Sequence, residues 1–146
     1  MVYRCEAGEI QVINGKATGN YGVISLRDPK GNELRVTDLE RTLVDCVVRP
    51  GYAQGILQVL NAYRLALPKL TVPKLLQTLK KLDYAYPYHQ SIGFLLEKAG
   101  ASPDLLSPLK QMGLKHDFYV DHEIKDPCFN AIWRVYYPRE LDDKLR

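Results

Sequence analysis

Across the middle of the chain apolar residues recur every three or four positions, and toward both ends the pattern shortens to runs of a few residues between turn signals. The first spacing is that of helices with one buried face, the second that of short strands. The helical part opens at TDLERTLVDCVVRP, where Thr37 followed by Glu40 three residues on reads as a capping box and Asp38 adds negative charge at the positive helix end. This predicts a helix from Asp38, with Leu39, Leu43, Cys46 and Val47 inward and Asp38, Arg41, Thr42, Asp45 and Arg49 on the other face. Pro50-Gly51 stops it. A second helix is expected over 52–67, with Ile56, Leu57, Val59, Leu60, Tyr63 and Leu67 largely inward. Thr71 caps a third, burying Val72, Leu75, Leu76, Leu79 and Leu82 and leaving Lys74, Gln77, Thr78 and Lys81 to water. After a turn at 84–87, a fourth helix over 89–99 turns Ile92, Leu95, Leu96 and Ala99 inward and ends at Gly100. Ser102-Pro103 starts a fifth that runs to Met112.

YGVISLRD, the turn Pro29-Lys30-Gly31-Asn32 and Leu34-Arg35-Val36 predict a hairpin, and Ile10-Gln11-Val12-Ile13 before Asn14-Gly15 reads as an earlier strand and turn. Phe118-Tyr119-Val120 and the run 131–137, either side of the polar loop DHEIKDP, predict a closing hairpin. Strands at both ends and helices between them make the expected class α+β: one domain over 1–146, with a mostly antiparallel sheet from N- and C-terminal strands packed against a central block of about five helices.

The chain has 146 residues, 46% hydrophobic and 25% charged, which suits one core of its own. A net charge of +3 permits nucleic-acid contact but lacks the dense basic stripe of a dedicated binder. No stretch nears the roughly 20 apolar residues of a membrane helix, and MVYRCEAGE lacks the features of a secretory start, so a cytoplasmic protein with no membrane partner is expected. Three separated cysteines, Cys5, Cys46 and Cys128, suit free thiols in a reducing compartment. Phosphate loops, nucleophile elbows, His-Glu-x-x-His helices and dinucleotide fingerprints are missing, so no enzyme, catalytic residue or cofactor is expected.

The segment HDFYVDHEIKD carries His116, Asp117, Asp121, His122, Glu123 and Asp126, groups of the kind that hold metals. Strand alternation would divide them between two faces, so a solvated edge is expected there and no metal site. Tyr84, Tyr86 and Tyr88 beside His89 can stack bases or a ligand ring, but no basic residue is interleaved among them to hold a nucleic-acid backbone, and packing is the expected role. The face Asp38, Arg41, Thr42, Asp45 is the constellation with functional character. Arg41 there can pair with both aspartates and still offer a planar fork to a partner carboxylate, although the same spacing also serves as a plain helix-stabilising charge ladder.

The stretch RVTDLERTLVDCVVRPGYAQGILQVLNAY resembles the signature of the AbiEi family, whose members carry an ERTL(L/V)D helix, an RP break and a glycine-containing second helix. SIGFLLEKAG, with Gly93, Leu95, Leu96 and Glu97, resembles the family's RLGYLLE helix, with Ser91 and Ile92 in place of arginine and leucine. FYVDHEIKDPCFNAIWRVYYP resembles its closing strands, the last bearing a tryptophan. The resemblance covers about 36–137 and implies the C-terminal effector domain of an abortive-infection, phage-defence antitoxin. Such a protein opposes a nucleotidyltransferase-like toxin encoded beside it and represses its own promoter. In the family DNA is read by an N-terminal winged helix. No helix pair precedes the first strands here, so that domain is expected to be absent and only weak, non-specific DNA contacts are expected of these residues. The alternative is a stand-alone DNA-associated regulator without a toxin partner. Asp38, Arg41, Thr42 and Asp45, then Arg49 and Glu97, are the candidate partner-contact residues, with Thr37 and Glu40 assigned to helix capping. Arg41→Ala is expected to weaken antitoxin action while leaving the fold nearly intact.

Overall fold

A computed structural model describes residues 1–143. Two antiparallel hairpins come first, β1 (Val2–Cys5) with β2 (Gly8–Gln11) and β3 (Val23–Arg27) with β4 (Glu33–Thr37). Five helices follow: α1 (Leu39–Val48), α2 (Ile56–Ala66), α3 (Val72–Leu82), α4 (Tyr88–Lys98) and α5 (Pro103–Gln111). A three-stranded sheet, β5 (Phe118–Tyr119), β6 (Pro127–Asn130) and β7 (Val135–Pro138), and the one-turn α6 (Glu140–Asp143) close the chain. The class is α+β, but the strands form three separate sheets rather than one.

The three-and-four spacing places the helices correctly because each lays its apolar stripe on a single core. Helix α4 is the centre of that core. His89, Gln90 and Ser91 through Leu96 are buried without interruption, so α4 is covered on every side, by α1, α2, α5 and the last sheet. Tyr63, fully buried in α2, finds a partner for its hydroxyl in the Leu43 carbonyl at 3.2 Å and so ties α2 to α1.

Several expectations fail. Thr37 and Glu40 do not form a capping box. Asp38 is the N-cap, its Oδ1 accepting from the Arg41 amide at 2.9 Å, while the Glu40 side chain is buried against α3. The expected helix over 52–67 divides into a 3₁₀ turn, Pro50–Ala53, and α2, because Gln54 and Gly55 take left-handed backbone between them. Thr71 occupies the N-cap position of α3 without a side-chain capping bond. Thr78, expected in water, is buried, and its hydroxyl is satisfied within its own helix by the Lys74 carbonyl at 2.9 Å.

The closing hairpin also has a different register. β7 lies between β5 and β6, antiparallel to β6 and parallel to β5, and 131–134 is a turn rather than strand. Asn130 Oδ1 accepts from the Trp133 amide at 2.9 Å, and Arg134 is left-handed with φ 53°. That turn drives the Trp133 ring into the core, where it has no exposed surface. Tyr119, Tyr136 and Phe129 stand in register across the three strands, with ring centres 4.6 and 4.8 Å apart on the outer face.

Helix α4 and the last turn fit one another tightly. A Cβ added at Gly93 would lie 2.2 Å from the Trp133 ring, so only glycine admits the indole there. The indole Nε1 donates to Glu97 Oε2 at 3.2 Å, one turn along α4. Gln90 has no exposed surface. Its Nε2 donates to the carbonyls of His116 at 3.0 Å and Trp133 at 2.8 Å, and its Oε1 accepts from the Lys115 amide at 2.9 Å.

Gly93→Ala should therefore destabilise the fold by about 2 to 3 kcal/mol through overpacking, although alanine is favoured over glycine by about 1 kcal/mol in an unconstrained helix. Denaturant unfolding checks this, and a more stable mutant would refute the fit.

A pH dependence follows from His89, whose Nε2–H donates to the Gly113 carbonyl at 2.6 Å, since a carbonyl can only accept. Burial, with the Lys115 charge acting the same way, holds the ring below the ordinary 6.5 despite that bond. The folded state thus disfavours the protonated ring. The stabilisation is complete above pH 6.5 and is lost as pH falls below it. Unfolding midpoints should drop from neutral pH toward pH about 5, and His89→Gln should flatten that part of the curve.

Candidate functional site

The polar face of α1 forms the floor of a cleft of about 450 Å³. The segment carrying Ile13, Gly15 and Lys16 borders it on one side and Tyr52, Ala53 and Tyr84 on the other. Its volume lies in the range of small-ligand sites. Arg41, Thr42, Asp45 and Arg49, four of the six residues singled out from the sequence, line this one cleft together with Thr37. Asp38 and Glu97 do not.

Arg41 is the most constrained of them. Its Nε donates to both Asp45 oxygens, at 3.0 and 2.9 Å, and its Nη1 donates to the Tyr21 carbonyl at 2.6 Å and Thr18 Oγ1 at 3.3 Å. Only 11% of the side chain is exposed. The fork expected to reach a partner carboxylate instead fastens the loop before β3. Gly22 makes the approach possible: at φ 72°, any Cβ on it would lie 2.8 Å from Arg41 Cβ. Next to it the Thr42 hydroxyl donates to the Asp38 carbonyl at 2.7 Å, so at 2.7 Å the Thr37 hydroxyl is the donor to Thr42.

Asp38 and Glu40 face away from the cleft, toward α3. The Lys74 ammonium bridges Asp38 Oδ2 and Glu40 Oε2, each at 3.1 Å, and Glu40 Oε1 accepts from the Thr71 amide at 3.1 Å. Hydrogen bonds to Glu40 and then Asp38 raise the Lys74 pKa. Glu97 is occupied by the Trp133 indole. Ser91, where the resemblance has arginine, is fully buried, and its Oγ has no partner among the described residues.

One contributor was not visible in the sequence. Lys16 donates to the Leu82 carbonyl and, at 2.5 Å, to the Asp83 carbonyl at the negative end of α3, and lies 5.0 Å over the Tyr84 ring. Arg49 Nη1 reaches the Asn14 carbonyl at 3.5 Å. Three cations therefore pin one irregular segment across α1, all through main-chain carbonyls that no sequence pattern marks.

Cys46 also lines the cleft. Burial, then the nearby Asp45 charge, raises its pKa above 9.0, so the thiol is protonated at neutral pH and is no ready nucleophile. Among the described residues no three His, Cys, Asp or Glu side chains converge as a metal-binding set, the His116 to Asp126 segment included. No helix of the described residues is long and apolar enough to cross a membrane. The fold and cleft thus define an α+β protein with a ligand-sized depression over its first helix. No protein-family model, curated protein or solved structure matches the chain.

Arg41→Ala should cost about 2 kcal/mol, the scale of charge-assisted hydrogen bonds lost in a partly buried site. It should also speed tryptic cleavage after Lys16. Unchanged melting and unchanged cleavage would show that the loop holds without it.

Proposed function

We propose that this chain is the effector domain of an AbiE-like antitoxin and regulator, a non-enzymatic cytoplasmic module that counters a nucleotidyltransferase-like toxin and supports repression of its own promoter. The observation that supports this reading most is the meeting in space of stretches that carry the AbiEi resemblance. Gly93 and Glu97 of the SIGFLLE helix close on Trp133 of the last stretch, and α4 packs on the ERTLVD helix. Three such stretches, far apart in the chain, form one interlocked unit.

Within that unit the ERTLVD helix turns Glu40, Leu43 and Val44 inward and leaves Thr42 and Asp45 on the cleft. That outward edge is where a protein partner would read the domain. Operator reading would fall to a winged helix of the kind the family carries ahead of this domain, not to these residues.

Co-expression with a nucleotidyltransferase-like protein encoded beside the gene tests the reading by growth rescue. The wild-type chain should restore growth, and Thr42→Lys, which places a charged chain across the cleft mouth, should abolish rescue without lowering the melting temperature. A folded wild-type chain that gives no rescue would overturn the proposal.

A further inference from the structure

Arg49 stands where two clefts join. Beyond it lies a second depression of about 590 Å³, walled by Tyr86, Tyr88 and Phe118, and both Arg49 and Tyr84 line the two. The result is one trough running over the C-terminal end of α1.

Arg49 is exposed, and the long contact to Asn14 is its side chain's only hydrogen bond among the described residues. Its guanidinium sits 5.6 Å from the centre of the Tyr52 ring. Burial raises the hydroxyl pKa of both Tyr84 and Tyr88, and the Arg49 charge works against that rise in each, which places the cation within electrostatic reach of both rings. Tyr84 itself is covered by Lys16 and met edge-on by Tyr88. The rings left open are Tyr52, 60% exposed, and Tyr86, 61% exposed, the latter braced by Tyr88 and Phe118 at 6.2 and 5.8 Å. From end to end the trough therefore offers an open ring, a cation and a second open ring. The tyrosine run 84–88 carries no basic residue of its own; the fold brings one to it from α1.

We propose that this trough binds single-stranded nucleic acid, one backbone phosphate on the Arg49 guanidinium and the two flanking bases on Tyr52 and Tyr86. Bases outside a duplex present free π-faces that stack on aromatic side chains whatever their sequence. A guanidinium fork matches two phosphate oxygens. The carboxylates nearby are already engaged: Asp45 by Arg41, and Asp117 by Arg134 at 2.7 Å. Asp121 Oδ1 accepts from the His122 amide at 2.7 Å and, with no cation on it among the described residues, limits the phosphate contact to the Arg49 end. The inference does not rest on the antitoxin reading and needs no toxin.

Fluorescence anisotropy of a fluorescein-labelled oligouridylate titrated with the full chain tests it. Binding should saturate with a Kd below about 100 µM, and the logarithmic salt slope should be near the roughly 0.7 of a single phosphate contact. Arg49→Ala, Tyr86→Ala and Tyr52→Ala, all at exposed side chains, should each weaken it about tenfold. A duplex of equal length should bind more weakly than the single strand. No binding by the wild type, unchanged binding by Arg49→Ala, or equal binding of the duplex would overturn the proposal. So would uridine monophosphate competing as well as the oligomer, since that would assign the site to a free nucleotide.

Discussion

A glutamine amide with no exposed surface has two donors and an acceptor that the interior must satisfy or the fold loses the cost of desolvating them. Gln90 resolves this by bonding three backbone groups from two segments, at residues 115 and 116 and at the turn before β7. Its position on the most deeply buried helix means that the last sheet is located relative to the core by directed bonds, and not by apolar contact alone. Gly93 and Glu97, one and two turns further on, then receive the Trp133 ring and its N–H. Because three spaced positions of one helix define where the final turn goes, β7 can pair with β5 in parallel without a helical crossover to enforce it.

The other end of the domain relies on a different version of the same device. Around α1 the links between remote segments run from charged side chains to backbone: Glu40 to the Thr71 amide, Arg41 to the Tyr21 carbonyl, Lys16 to the carbonyls ending α3. Such bonds place irregular segments that lack ladders of their own, at the expense of the side chain's freedom to act outward. This explains how a loop without regular structure borders the α1 cleft with a defined shape. It also explains why β1 and β2, exposed along their whole length, stand apart from the core: no comparable bond fastens them to it among the described residues.

The helices were legible because amphipathic spacing is a local signal, and the α+β order follows from where that spacing starts and stops. Glu40 was misread for the opposite reason. Its capping-box spacing is local, but burial against Lys74 and Thr71 is decided by residues some thirty positions away. Thr78 looked solvent-facing because a hydroxyl is polar, yet it can satisfy itself on the preceding turn and cost the core nothing. The stretch 131–137 has strand-forming residues throughout, and the tertiary fit of Trp133 on Gly93 overrides that preference in its first half. Of the candidate site, the α1 face and the tyrosine run 84–88 were readable; Lys16 and Tyr52 were not, since their role depends on which helix end the chain passes over.

The division of labour along α1 bears on how its sequence motif should be interpreted. In ERTLVD, Glu40, Leu43 and Val44 are buried, and Arg41, although it lines the cleft, is held by four side-chain hydrogen bonds; Thr42 and Asp45 complete the motif's edge on the cleft. A motif whose members mostly hold the scaffold identifies the scaffold. The side chains free to act outward lie largely beyond it, on the rim that the scaffold fixes in place. Arg49, Tyr52 and Tyr86 meet that description: each is exposed, each lies on the trough or its wall, and none contributes to the buried core. Changes there can alter the surface of the trough while the interlocked unit of α1, α4 and the Trp133 turn stays as it is.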